Sequence, residues 1–252
     1  MSARVKVRLY VDDPLVAGCE RVASPPQAHY LRRVMRLGDG DQVALFNGRD
    51  GEWQARIATE GRGSCRLLVE TCIRPQVFET DPILAFAPVK RLRLDYLVQK
   101  ACELGAVRLI PVLTRHTGPA RVNVERLRAN AIEAAEQCGR LSLPEVVAPV
   151  RFDAFLAGCG RLFWADEQGG ANACDTFDEA GPGPATLLIG PEGGFAEDER
   201  AALVAHDGAL ATSLGPRILR ADTAAVSLLT LWQAVAGDWR DDCARQSTNL
   251  PL

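Results

Sequence analysis

Residues 187–199 read LLIGPEGGFAEDE: an apolar run, a proline and three glycines around one glutamate, then an acidic stretch. The apolar run has the length and composition of a buried strand. The stretch AEDERAALVAH (196–206) has helical character, and its acidic first turn suits the positive end of the helix dipole. A strand that passes through a pliable loop into a helix is one unit of an α/β sheet. SLGPRILRADTAA (213–225) repeats the arrangement about 26 residues on, with Gly215 and Pro216, then Ile218 and Leu219 flanked by Arg217 and Arg220.

Outward from these loops, the pattern holds back to residue 83. ILAFAPV, VRLIPVL, RLFWA, ATLLI and ALATSLG read as strands. RLRLDYLVQKACELG reads as a helix with Leu94, Leu97, Val98, Ala101 and Leu104 on one face and Gly105 as its stop. Asn123 can cap a helix running to about Cys138, and ADTAAVSLLTLWQAVAG reads as the last helix. Alternating strands and helices predict a mostly parallel α/β sheet.

Residues 4–72 differ. VKVRLYV, QVALFN, EWQARIA and CRLLVETC are β-rich runs divided by turns such as LGDGD and NGRDG, with one short helix or turn in SPPQAHYLRRVMRLGDG. The expected organisation is a small β-barrel-like domain over 1–73, a proline-bearing linker over 74–82, the α/β domain over 83–240 and a frayed tail over 241–252.

Composition narrows the function. The chain has 252 residues, 47% hydrophobic and 24% charged, which excludes disordered and fibrous classes. No apolar run reaches the ~20 residues of a membrane span, and MSARVKVRLYVDD lacks a signal-peptide core, so a cytosolic address and no membrane partner are expected. The eight cysteines form no CxxC pair and none sits at zinc-ligand spacing from the three histidines, so reduced thiols and no metal are expected. A net charge of −3 argues against a nonspecific nucleic-acid coat. Residues 1–75 nevertheless carry 12 basic against 9 acidic side chains, while the remainder carries 17 against 23.

In α/β sheets, ligands bind where loops leave the carboxyl ends of strands. GPEGGFAE lacks the lysine of a phosphate-binding P-loop and does not match GxGxxG. Glu192 would repel a triphosphate. A carboxylate beside bare amides and apolar walls suits a ligand with hydroxyls, an adenine-like face and positive charge. Gly190, Gly193 and Gly194 permit positive φ and close backbone approach. A β-branched residue resists positive φ, so Gly193→Val is expected to abolish binding.

LLIGPEGG, SLGPRILRADTAA, QKACELGAVRLIPVLTRH, IEAAEQCGR and HYLRRVMR, which follow the family's order along nearly the whole chain, together resemble the ribosomal RNA small-subunit methyltransferase E family. These are SPOUT-class enzymes that methylate N3 of a uridine in 16S ribosomal RNA. One departure is RADTAA, where the family commonly shows RTETA. The resemblance implies a trefoil-knotted α/β methyltransferase domain preceded by a PUA-like RNA-binding β-barrel, S-adenosylmethionine as cofactor, 16S rRNA or the small ribosomal subunit as substrate, and a homodimer. It assigns Leu188, Ile189, Gly190, Pro191, Gly193 and Gly194 to one wall of the cofactor site, and Leu214, Gly215, Ile218, Leu219 and Arg220 to the other.

The same resemblance orders the chemistry. Uracil N3–H is a weak acid whose proton must leave or whose anion must be stabilised. Arg220 is the first choice to steady that anion, its alternative being a pair with Asp222 or a helix carboxylate. Glu192 either accepts from ribose, faces the uridine, or is a solvated or helix-capping loop carboxylate. Glu136 and Glu103 are candidate bases and equally candidate ion-pair partners. Arg8, His29, Arg32, Arg33 and Arg36 suit RNA phosphates and single-stranded bases, and Arg32 and Arg36 share a face if their segment is helical. Trp164 and Trp232 read as packing. Two rivals remain: a noncatalytic RNA-binding assembly factor that kept the fold, against which the intact glycines argue, and a small-molecule α/β enzyme, which leaves the N-terminal arginines without a purpose.

Overall fold

The computed structural model describes residues 7–60, 64–118 and 122–240; the tail expected over 241–252 lies outside the described residues. The chain divides into two compact units, one of Met1–Phe78 with Ala135–Leu143, the other of Glu79–Ala134 with Pro144–Leu252.

The first unit is a five-stranded sheet in the order β1-β3-β4-β5-β2. The strands are β1 (Arg8–Tyr10), β2 (Glu20–Val22), β3 (Gln42–Phe46), β4 (Glu52–Glu60) and β5 (Ser64–Arg74). β1 runs parallel to β3 and the other pairings are antiparallel. Register shifts between Glu52 and Trp53 and between Gln54 and Ala55 mark bulges, which bend a strand and add twist. Alternate side chains (Val43, Leu45, Ala55, Ile57, Leu67, Val69) enter one core with Leu9 and Leu31. Between β2 and β3 lies α1 (Pro25–His29), capped by Ser24, whose hydroxyl accepts from Gln27 N–H while the Gln27 carboxamide accepts from Ser24 N–H. The chain then widens into a π-helical turn over Tyr30–Val34, with Arg36 beyond it at φ +56°.

The second unit is a parallel sheet in the order β11-β13-β10-β12-β6-β7-β8, with β9 also on β7. In chain order its elements are β6 (Ile83–Phe86), α2 (Arg91–Glu103), β7 (Arg108–Leu113), α3 (Val124–Cys138, whose last turn belongs to the first unit), β8 (Glu145–Val146), β9 (Val150–Arg151), α4 (Phe152–Ala157), β10 (Leu162–Ala165), β11 (Ala171–Asn172), α5 (Ala173–Ala180), β12 (Thr186–Ile189), α6 (Glu197–Ala205), β13 (Ala209–Ser213) and α7 (Ala221–Val235). Every strand pairing is parallel. Leu84, Phe86, Phe163, Leu187 and Ile189 pack with α2, α5 and α7, while Ala85, Trp164 and Leu188 pack with α4 and α6. Helices therefore cover both faces, which is why the central strands read as unbroken apolar runs. Among the described residues no helix is long and apolar enough to cross a membrane.

Two expectations change in detail. The short β2, α4 and α5 join the elements read from sequence. The segment 135–143 belongs to the first unit although it lies far along the chain. Arg8 explains this: it pairs with Glu52 and donates to the carbonyls of Ala135, Glu136 and Arg140, while Arg74 donates to Gly139 O at 2.9 Å.

Candidate active site

Three loops leave the carboxyl ends of β10, β12 and β13, and a cavity of about 470 Å³ opens among them. The volume lies within the ~300–1,000 Å³ of small-molecule sites.

The β12 loop is shaped by its glycines in three different ways. At Gly190 a Cβ would stand 2.8 Å from the Phe195 ring, which is itself fixed edge-on against Trp164 at 5.8 Å. Gly194 has φ +71°, where side chains are strained, and its N–H donates to Pro191 O at 2.9 Å to close the turn. Gly193 has neither constraint: its φ is ordinary, and a Cβ would meet only His116 at 3.7 Å. The expectation that Gly193 carries the positive φ is thus corrected, and the burden moves one residue on. His116 Nδ1 lies 3.0 Å from Gly194 O; a carbonyl only accepts, so this nitrogen donates. Glu199, buried at the start of α6, accepts from Ala196 N–H at 3.1 Å and from Arg115 N–H at 2.8 Å.

The β13 loop turns at Gly215, φ +101°, with no atom within 4 Å of a Cβ position, so its bare backbone faces open space. Arg220 follows as the N-cap residue of α7.

Nine of the eleven expected cofactor residues line this cavity: Ile189, Gly190, Pro191, Gly194, Leu214, Gly215, Ile218, Leu219 and Arg220. Gly193 does not, and Leu188 is fully buried on the α4/α6 face of the sheet. Glu192 lines the cavity in an ion pair with Arg93. Arg220 is exposed and, among the described residues, has no ion-pair partner; the alternative pairing with Asp222 is not formed, and Asp222 accepts instead from Thr223 N–H at 3.0 Å in the first turn of α7. Glu136 is absent from the lining. Its carboxylate accepts from Tyr10 N–H at 2.9 Å, which gives it a structural task in the first unit. Glu103 pairs with Lys100 at 2.8 Å.

Sequence reasoning missed the third loop. Ala165, Asp166, Glu167, Gln168 and Gly169 line the cavity after β10. The Asp166 side chain is only 3% exposed and pairs with Arg200 at 2.7 Å. That hydrogen bond raises the pKa of Arg200, a permanent cation. The signal was present in WADEQGG, a strand running into carboxylates and two glycines, and the rule applied to the other loops would have found it. Arg93 carried no such signal.

In the first unit, His29, Arg33 and Arg36 are exposed and Arg32 is half-buried, all on the segment from α1 to Arg36. The expected shared helical face of Arg32 and Arg36 is not formed, because Arg36 lies past the π turn at positive φ. Arg8 is corrected outright: its side chain is 11% exposed, and its donors are spent on Glu52 and three carbonyls, so it offers nothing to a phosphate.

Comparison with known proteins agrees with this architecture. The RNA methyltransferase domain family matches residues 78–233, and the RNA methyltransferase PUA domain family matches 24–70. A ribosomal RNA small subunit methyltransferase E of Rickettsia conorii is 31% identical over 226 residues, covering 88% of this chain and 93% of that protein. Its namesake in Bacillus subtilis is 30% identical over 221 residues, covering 81% and 86%. A Legionella pneumophila chain assigned as a methyltransferase and solved with bound SAM superposes with a TM-score of 0.79 at 28% identity, over 94% of this chain and all of that one. With the PUA and methyltransferase regions in the same order and the similarity spanning most of both chains, this protein belongs to the ribosomal RNA small subunit methyltransferase E family.

Proposed function

We propose that the protein transfers the methyl group of S-adenosylmethionine to N3 of a uridine in 16S ribosomal RNA of the small subunit, acting as a homodimer with the knotted SPOUT arrangement. The observation that carries this reading is the cavity at the carboxyl ends of three parallel strands, built on the two glycine loops, in a chain whose Legionella counterpart holds SAM.

The residues present fit that cofactor. Ile189, Leu214 and Leu219 offer apolar walls for an adenine ring, and the bare backbone at Gly215 admits close contact. Asp166, Glu167 and Glu192 supply oxygen acceptors suited to ribose hydroxyls and an ammonium group; Asp166 and Glu192 are already paired with Arg200 and Arg93, which leaves Glu167 as the lining carboxylate without an ion pair among the described residues. When bound, the cofactor supplies an electrophilic methyl group on a sulfonium.

The chain supplies placement and electrostatics. Arg220, without an ion-pair partner among the described residues, lines the cavity edge and stabilises negative charge on the uracil as N3 gives its proton to solvent and takes the methyl group in place of that proton. Glu192 is neutralised by Arg93 and shapes the loop. His29, Arg32, Arg33 and Arg36 contact the RNA from the PUA-like unit.

Nucleoside analysis of 16S rRNA from cells lacking the gene tests the reading. The expected result is loss of 3-methyluridine, restored by the wild-type gene and not by Arg220→Ala; persistence of 3-methyluridine in the deleted cells contradicts it.

A further inference from the structure

Four guanidinium groups line the cavity: Arg93, Arg200, Arg217 and Arg220. Two are neutralised in place, Arg93 by Glu192 and Arg200 by Asp166. The other two share the β13 loop, and among the described residues neither forms an ion pair or a side-chain hydrogen bond. Arg220 has its task in the chemistry proposed above. Arg217 has none, and it is exposed.

Exposure is graded along this wall. Ile189 is 2% exposed, Leu214 and Leu219 are half-buried, and Ile218 is 83% exposed. The enclosed part suits a small molecule. The outer edge, Arg217 with Ile218, is open to a macromolecule and combines a free planar cation with an uncovered apolar side chain. That combination matches one nucleotide of a single strand, phosphate on guanidinium and base on an apolar surface.

We propose that Arg217 anchors a backbone phosphate of the RNA strand that carries the target uridine, fixing the strand at the cavity mouth while Arg220 serves the base. The assignment rests on the methyltransferase reading and adds to it a positioning residue with a defined ligand group. Arg217 acts on substrate placement, so its effect falls on substrate affinity and leaves the cofactor untouched.

The test uses the full-length protein and small ribosomal subunits from cells lacking this gene. Subunit binding is measured by co-sedimentation at several salt concentrations, methyl transfer by initial rates, and cofactor binding by calorimetry with S-adenosylmethionine. For Arg217→Ala we expect subunit affinity and KM to weaken about tenfold, with kcat and cofactor affinity unchanged. The slope of log affinity against log salt should fall by roughly 0.7, one single-strand phosphate contact. Arg217→Lys should recover most of the affinity, because a phosphate accepts a point charge.

Weakened cofactor binding with unchanged subunit affinity would overturn the proposal and give Arg217 to the cofactor's carboxylate. Unchanged behaviour in every readout would leave it a solvated charge, and dissociation of a dimer in light scattering would make it a contact between copies. If the wild-type protein binds subunits but transfers no methyl, the methyltransferase reading fails, while the salt slope still decides Arg217.

Discussion

Gly194 is the residue on which the loop after β12 turns. Its φ of +71° costs a β-branched side chain about 1–3 kcal/mol, whereas the nearby Glu167 carboxylate is a flexible tip that can move aside. Gly194→Val should therefore weaken S-adenosylmethionine binding about tenfold or more in calorimetry, and Gly193→Val, with an ordinary φ and only His116 at 3.7 Å, should change it less than threefold. The reverse order of effects would show that the turn is made elsewhere. The sequence announced that glycines crowd this loop, but which of them takes the left-handed conformation depends on how Phe195 and Pro191 close the turn. Arg8 teaches the same lesson: in a β-run of the basic domain it read as an RNA-binding cation, and the carbonyls it binds lie more than 120 positions away at Ala135, Glu136 and Arg140.

At the scale of elements, that cluster ties β1 to the last turn of α3. Glu52 is 6% exposed, so removing the guanidinium strands a buried carboxylate, which typically costs ~3–5 kcal/mol and here less, because Arg74 also reaches Glu52 at 3.5 Å. Arg8→Met should lower stability by about 2–3 kcal/mol in denaturant unfolding while the salt slope of RNA binding stays as in the wild type; a reduced slope would return Arg8 to the RNA surface. The NGRDG turn offers a pH test. Asp50 accepts from Leu15 N–H at 2.8 Å and from the Asn47 amide at 2.7 Å, and these bonds hold its carboxyl below the ordinary range. A depressed folded pKa contributes stability above the unfolded value of about 3.9, lost as pH falls through the folded one. Asp50→Asn should thus cost about 1 kcal/mol at neutral pH, and the deficit should shrink below about pH 4; a deficit that persists in acid would point to packing instead. The turn itself was legible because Asn47 accepts locally from the N–H groups of Arg49 and Asp50, whereas the bond from Leu15, 35 positions back, was not. The six-residue α4 and eight-residue α5 were not, since one to two turns give too little periodicity to measure.

At the scale of the whole molecule, alternation of apolar runs with helical segments was enough to announce a parallel sheet beyond residue 83, because two covered faces demand continuous apolar strands. The membership of 135–143 in the first unit was not legible, being set by hydrogen bonds between distant parts of the chain. The proposed homodimer predicts twice the 27.3 kDa chain mass in light scattering, and a monomer at working concentration would remove it from the account. The central claim is that one cavity brings cofactor and ribosomal uridine together. Its most direct test is transfer of labelled methyl from S-adenosylmethionine to small subunits of gene-deleted cells, with digestion to nucleosides. The account predicts label in 3-methyluridine; label in another nucleoside, or none while cofactor binding is intact, would contradict it.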